Sequence, residues 1–512
     1  MNILYIAAEA TPFIKTGGLA DVAGSLPKAI KNQDHDIRLV LPWHGPIYEK
    51  YISELKSLGS FEVDLIKKTV DIEVFYLDYQ DLDCYFIANK EFFDRNELYS
   101  YEDDDLRYLL FSKASVLLLE FLDFKADIIH ANDWHSGLAI LYQDYLARKK
   151  DFYKDTKSLY TIHNIIYQGT FDNSMLDYME ADFVNTYRDS LNFYGKVSFM
   201  KAGIINSTAF NTVSKTYANE IKQKEFAYGL EEVINANKDK LSGIINGIDY
   251  EKYNPKTDMR IKSNYDVHSI DKKLANKTYL QKLYNLEVNK DIPLIGMVTR
   301  LAPMKGMDLL FEVFDQLIQE DVQFILLGTG DANYENILRD YQNKYPNKVA
   351  ARLYFSDQES TLIYAGSDLY MMPSLTEPCG ISQLIAMRYG SIPIVTETGG
   401  LEDTVHAYNK YSGEGNGFSF YDKRPEVLLE TIKRAIETYK SKDEFIKLIK
   451  NAMDSKYDWE NSSKEYIKLY RSLLWLIKRL YMKVLKIIYL NYLLKTLAML
   501  EIQKYILLWQ IV

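Results

Sequence analysis

Short apolar runs of strand length alternate with amphipathic stretches of helical period over most of the chain. Asn2 to Ala8 predicts a buried strand, and the apolar spacing of Ala20, Val22, Ala23 and Leu26 behind a glycine pair predicts a helix. Asp36 to Pro42 predicts a second strand. Phe61 to Leu65, Val70 to Leu77 and Asp83 to Ala88 alternate in a way expected of antiparallel or peripheral strands. A helix over Asp104 to Asp123 leads to a strand at Asp127 to His130, a helix over Ser136 to Arg148 and a strand at Ser158 to Asn164. Phe210 to Ser214 and Gly243 to Asp249 continue the pattern. From Glu251 to Asp291 the chain turns rich in Lys, Asn and Asp and reads as a linker. The alternation then restarts with strands at Pro293 to Val298, Val322 to Leu327, Asp368 to Pro373 and Ile392 to Val395, and with helices over Met307 to Glu320 and Ser382 to Arg388. Strand and helix in regular succession predict α/β architecture with doubly wound sheets, and the restart predicts two units.

The first strand feeds Lys15-Thr16-Gly17-Gly18-Leu19-Ala20-Asp21-Val22. Adjacent glycines at a strand-to-helix turn leave N–H groups uncovered, and the helix behind them adds partial positive charge, so the turn is suited to an anion, with Lys15 as a mobile cation at its mouth. Thr398-Gly399-Gly400-Leu401-Glu402-Asp403 repeats the design near the other end, as two related units facing one ligand would. Carboxyl ends of strands border the crevice in such sheets, which makes Asn132, Asp133, His163 and Asn164 candidates for it. Arg300 and Lys305, just after a strand, suit a pyrophosphate at roughly 1.5–3 kcal/mol per charge-assisted bond. Glu377-Pro378-Cys379-Gly380 opens onto the next helix. Gly328-Thr329-Gly330 lacks the rest of a dinucleotide fingerprint, so no NAD site is read there, and Asp103-Asp104-Asp105 is assigned to a helix start rather than to a metal.

A length of 512 residues calls for more than one domain. The net charge of −10 argues against general affinity for nucleic acid, so an anionic ligand must be held by local groups. Cys84 and Cys379 are the only cysteines, which excludes a disulfide framework; together with the absence of an apolar leader this gives the expectation of a cytoplasmic protein. The 42 tyrosines fit either sugar-stacking surfaces or a biased base composition.

Taken together and in order, Lys15 to Val22, His163-Asn164 with Tyr167-Gln168-Gly169, Asn246-Gly247-Ile248-Asp249, Thr299-Arg300-Leu301 to Lys305-Gly306, and Glu377-Pro378-Cys379-Gly380 resemble the bacterial glycogen synthase and plant starch synthase family, over about residues 1 to 472. The resemblance implies a GT-B fold, with two Rossmann-like domains facing a central cleft, and retaining transfer of glucose from an ADP-glucose donor to the non-reducing end of glycogen or another α-1,4-glucan acceptor, with no cofactor or metal. It implies that Lys15, Gly17, Gly18 and Asp21 lie at the donor, that Arg300 and Lys305 hold its phosphates, and that Glu377 with Cys379 and Gly380 meets the glucose. It further implies that His163 lies near the reacting side of the sugar, that Asp133 and Asn164 flank the acceptor, and that Asn246 belongs to the substrate site. Charge grows on the phosphate oxygen as the anomeric bond breaks, and Arg300, Lys305 and the helix start after Thr398, Gly399 and Gly400 are suited to stabilise it. Glu377 is the obvious carboxylate for a covalent route, whereas the family role of binding sugar hydroxyls favours same-face attack. Met304, Leu375-Thr376 and Thr396 depart from the family pattern of Gln, Arg-Phe and Arg, and the loss of a cation at 396 leaves UDP-glucose open as the donor. A catalytically silent glucan-binding protein is the remaining alternative. The expected division is an N-terminal domain over 1–250, a nucleotide-sugar domain over 251–457, a returning helix over 458–472 and an atypical tail over 473–512. That tail carries Arg479, Lys483 and Lys486 on one helical face and reads either as a membrane-surface or partner-binding helix or as a tail without selected role. No uncharged run in it reaches the roughly 18–20 residues of a membrane span.

Overall fold

Apolar runs too continuous to face water on either side demand cover on both, and the chain meets that demand with two helix-flanked sheets. The computed structural model describes residues 1–475 and Met499. The first lobe is built from β1 (Asn2–Ile6), β2 (Asp36–Pro42), β3 (Lys56–Asp64), β4 (Thr69–Tyr79), β5 (Leu82–Ala88), β6 (Ile128–Asn132) and β7 (Lys157–Ile162). A small three-stranded sheet of β8 (Thr170–Phe171), β9 (Asn192–Phe193) and β10 (Lys196–Ser198) follows, and then β11 (Ala209–Thr212) and β12 (Leu241–Gly243). The main sheet runs β12-β11-β7-β6-β1-β2-β5-β4-β3, so the chain reverses its direction of winding between β1 and β6. The second lobe holds β13 (Leu294–Val298), β14 (Gln323–Leu327), β15 (Val349–Arg352), β16 (Leu369–Met372), β17 (Ile392–Thr396) and β18 (Phe418–Phe420) in the order β15-β14-β13-β16-β17-β18. All its pairings are parallel, and its winding reverses at β13.

Two readings of the sequence need correction. β5 is antiparallel to β4 as expected, but the peripheral alternative fails for it: it also pairs parallel with β2 and its residues are nearly all buried, while β3 is the exposed edge strand and β4 shows the alternation of a half-exposed sheet. Nor is 251–291 a loose linker. It contains the helix Lys273–Leu283, in which Lys273 and Lys277 are buried: Lys273 Nζ donates to the carbonyls of Ala365 (2.7 Å) and Tyr389 (3.0 Å), and Lys277 Nζ pairs with Asp368 at 2.7 Å. Composition marked these lysines as solvated, but their long stems pack while protein oxygens replace water at the heads.

The chain crosses between lobes twice, side by side. Ile248 N–H donates to the Tyr457 carbonyl at 2.8 Å, and Gly247 lies so close to the Asp458 and Trp459 backbone that a Cβ would overlap it. The helix that follows, 459–475, returns to the first core through Trp459, Tyr466, Ile467, Tyr470 and Leu473, and the Tyr470 hydroxyl meets His130 Nδ1 of β6 at 2.7 Å. Among the described residues, no helix is long and apolar enough to cross a membrane. Arg479, Lys483 and Lys486 lie outside them.

Candidate functional site

The carboxyl ends of β1, β6, β7, β13 and β16 open onto one cleft of about 1080 Å³, lined from both lobes. Lys15, Gly17, Gly18, Asp21, Asp133, His163, Asn164 and Asn246 line one side, and Arg300, Lys305, Glu377, Cys379 and Gly380 the other. The walls come close: a Cβ on Gly18 would stand 3.8 Å from Ile381 Cδ1 of the opposite lobe.

On the first side, the anion that satisfies the glycine turn is the protein's own. Glu9, just after β1, accepts from the Thr16 N–H (2.5 Å), the Thr16 hydroxyl (2.8 Å) and the Gly17 N–H (3.2 Å), while burial raises its carboxyl above the usual range. Lys15 is paired with Asp21 at 2.7 Å and stays partly exposed to the cleft. Asn246 Oδ1 is buried and has no partner among the described residues, which leaves a polar acceptor facing a site that could use one.

On the second side, Gly306 takes φ +72°, and a Cβ there would overlap the Pro373 carbonyl oxygen. That close approach, with the Leu375 N–H donating to the Met304 carbonyl at 2.9 Å, clamps the loop after β13 against the loop after β16. Lys305 is thereby set 2.6 Å from Glu377 Oε2, which also accepts from Ser374 Oγ at 3.1 Å. Arg300 is exposed and makes no ion pair among the described residues. Gly380, at φ +70°, starts the turn into the helix Ser382–Arg388. Cys379 is buried, and burial pushes its thiol up to about 12.

Asp133 and His163 come together as the ends of neighbouring parallel strands. The Asp133 carboxylate accepts from the His163 N–H at 2.7 Å, and its backbone sits at φ +54°, a strained conformation for a residue with a Cβ. The His163 ring meets Asn132 Oδ1 at 2.9 Å; the Asn132 amide donates to the Ile6 carbonyl, so its oxygen is an acceptor and His163 Nε2 carries the proton. Burial lowers the His163 pKa to about 3, so the imidazole is neutral near pH 7. Burial also raises the Asp133 pKa to about 7 from 3.8. The folded protein therefore holds a proton that the unfolded chain releases, and stability falls as pH rises across that window. Asp133→Asn keeps the acceptor and removes the charge. It is expected to stabilise the protein at pH 8, by up to about 4 kcal/mol, and to do little at pH 4. Urea unfolding at both pH values checks this; an equal change at both would contradict it.

The second glycine turn does not reach the cleft. Thr398, Gly399 and Gly400 are buried at the junction of the lobes, where Glu220 of the first lobe accepts from the Thr398 hydroxyl (2.8 Å) and the Gly399 N–H (3.0 Å). The expected place of Thr398, Gly399 and Gly400 beside the donor phosphates is corrected in this respect: they do not line the cleft. The two turns do share a design, each closed by a glutamate, but in the second the glutamate arrives from the other lobe. Asp403 returns the contact, accepting from the Lys215 N–H (2.6 Å), the Thr216 N–H (3.0 Å) and the Thr216 hydroxyl (2.8 Å) of the first lobe. Asp403→Ala is expected to cost about 1–2 kcal/mol, as a lost helix cap does, and to speed hydrogen exchange in Lys215–Glu220. Unchanged exchange there would show that the contact carries no load. Thr396 is likewise fully buried in β17 and does not itself line the cleft.

Glu9, Tyr99 and Ser374 also line the cleft and were not singled out by sequence. The spacing of Glu9 from a glycine turn carries no signal until the chain folds back. Among the described residues no group of His, Cys, Asp and Glu has the arrangement of a metal site; Asp103 and Asp104 are instead paired with Arg95 and Arg107.

Residues 2–236 match the family described as starch synthase catalytic domain, and residues 283–452 match glycosyl transferases group 1. The chain is 47% identical over 475 residues to a glycogen synthase of Finegoldia magna, covering 93% of this chain and all of that one. It is 43% identical over 476 residues to a glycogen synthase of Clostridium botulinum, covering 92% of this chain and 99% of the other. Among solved structures, the catalytic domain of starch synthase IV from Arabidopsis thaliana, bound to ADP and acarbose, superposes with a TM-score of 0.84 at 31% identity, covering 92% of this chain and 99% of that one.

Proposed function

This chain belongs to the glycogen synthase and starch synthase family and is a glycosyltransferase of GT-B fold; from that premise we propose that it transfers glucose from ADP-glucose to the non-reducing end of an α-1,4-glucan with retention of configuration. The carrying observation is the single cleft into which the first lobe sends Lys15 and the second sends Arg300 and Lys305. A diphosphate entering it meets a guanidinium that, among the described residues, has no ion-pair partner, and an ammonium that among them is held by Glu377 alone. The glycogen synthases among its relatives, and the ADP and acarbose in the Arabidopsis structure, support the same substrates.

As the C1–O bond breaks, negative charge moves onto the leaving phosphate oxygen, where Arg300 and Lys305 stabilise it more in the transition state than in the bound donor. Retention then follows from attack on the face that the phosphate leaves, with the phosphate oxygen taking the proton of the acceptor hydroxyl. Glu377 is poorly disposed as a covalent nucleophile, because one of its oxygens already accepts from Lys305 and Ser374; we assign it to the sugar hydroxyls. His163, neutral and with Nε2–H committed to Asn132, orients the sugar rather than supplying a proton. Asp133 and Asn164 are assigned to the acceptor. The lobes are taken as 1–250 and 251–457, with 458–472 returning to the first. The two cysteines, both buried and unpaired, accord with a cytoplasmic location.

The test is incorporation of labelled glucose into glycogen from ADP-glucose and, separately, from UDP-glucose. Efficient transfer from ADP-glucose is expected. A preference for UDP-glucose would reassign the donor, and binding of glycogen without transfer from either would leave a silent glucan-binding protein.

A further inference from the structure

A glucan acceptor is far longer than the cleft, so the chain behind its reacting end must leave over a rim. On the first lobe that rim is aromatic. Tyr167 and Tyr228 both line the cleft and are 49% and 51% exposed. Beyond Tyr228 stands the turn between β9 and β10, where Tyr194 is 81% exposed with its ring 4.7 Å from that of Phe193. The two features meet at Gly229, where a Cβ would lie 3.4 Å from Phe193 Cζ and 3.5 Å from Tyr194 Cε2. Gln168, another cleft residue, donates to the Tyr228 carbonyl at 3.0 Å and ties this rim to the cleft wall.

The turn is held in place rather than loose. Asn173 Nδ2 donates to the Gly195 carbonyl at 2.8 Å, and the Gly195 N–H donates to Asn192 Oδ1 at 3.2 Å. Tyr194 and Tyr228 both adopt φ +50°, a conformation that costs energy for a residue with a Cβ. An exposed ring on a fixed, strained backbone contributes little to folding, whereas it gives a flat apolar face with a hydroxyl at its edge, suited to a neutral polyol with a C–H face.

We propose that Tyr167, Tyr228, Phe193 and Tyr194 form a platform for the acceptor glucan, holding glucosyl units several residues behind the reacting end and so favouring long acceptors. The proposal rests on the glucan-transfer reading above. Tyr194 lies outside the cleft lining, so Tyr194→Ala tests it without disturbing the reaction centre. With saturating ADP-glucose, KM for maltoheptaose and for glycogen should rise about tenfold, while KM for maltotriose, KM for ADP-glucose and kcat stay as in the wild type. Tyr194→Phe should restore most of the loss, and an unchanged thermal midpoint should show that the variant folds. An unchanged KM for maltoheptaose, or an equal rise for maltotriose, would overturn the platform. Calorimetric titration of maltoheptaose without donor separates this failure from that of the function: a wild type that binds the oligosaccharide through Tyr194 but transfers nothing would refute the transferase reading alone, and equal affinity of wild type and Tyr194→Ala would refute the platform alone.

Discussion

Lys305→Ala is expected to lower kcat by about 10²–10³-fold, the cost of removing one preorganised group from developing charge, while the thermal midpoint moves little. The ammonium is partly open to the cleft and bonded to one carboxylate, so the lattice of the second lobe does not depend on it. The variant leaves Glu377 with the Ser374 hydroxyl and without its cation, which should also weaken ADP binding in the ground state, though less than it slows turnover. Steady-state rates with glycogen and ADP-glucose, beside a melting curve, decide this. A kcat near that of the wild type would remove Lys305 from charge stabilisation and with it the role assigned to the second lobe.

Glu377→Gln separates two chemistries. The substitution keeps shape and hydrogen-bonding reach but removes both the negative charge and nucleophilicity. If Glu377 binds sugar hydroxyls, loss of a hydrogen bond to a charged group should cost about 1.5–3 kcal/mol, or roughly 10–10²-fold in kcat/KM, with KM for ADP-glucose raised and turnover still measurable. If Glu377 were the covalent nucleophile, turnover would vanish and the wild type, supplied with donor alone, would accumulate a glucosyl-enzyme visible in its intact mass. Measurable turnover in the variant and no such adduct are the expected results, because the carboxylate oxygen nearest Lys305 already accepts two hydrogen bonds.

Short elements with sharp boundaries were the most legible from sequence. Asp36–Pro42 and Ser382–Arg388 match the expected bounds, and β1, β6, β7 and β13 fall within a few residues of theirs, since each is a short apolar run closed by polar or turn residues. That Asp133, His163, Arg300 and Lys305 line one cleft could be read from their places after strands, because a parallel sheet brings such positions to one edge whatever its twist. Lys273 and Lys277 could not, since a lysine code is the same whether its head meets water or a carbonyl oxygen.

By itself, the sequence determined the alternation of strand and helix, the restart halfway along, and the charged groups available for a diphosphate; these depend on local periodicity and on side-chain chemistry. The tertiary structure alone decided which N–H groups were already taken. Thr16-Gly17 and Thr398-Gly399 are written almost alike, yet Glu9 folds back onto the first at the cleft, and Glu220 reaches the second from the other lobe and removes it from the cleft. A hydrogen-bond donor is spent on whichever acceptor the chain brings within about 3 Å, and which one that is depends on contacts between residues far apart in sequence.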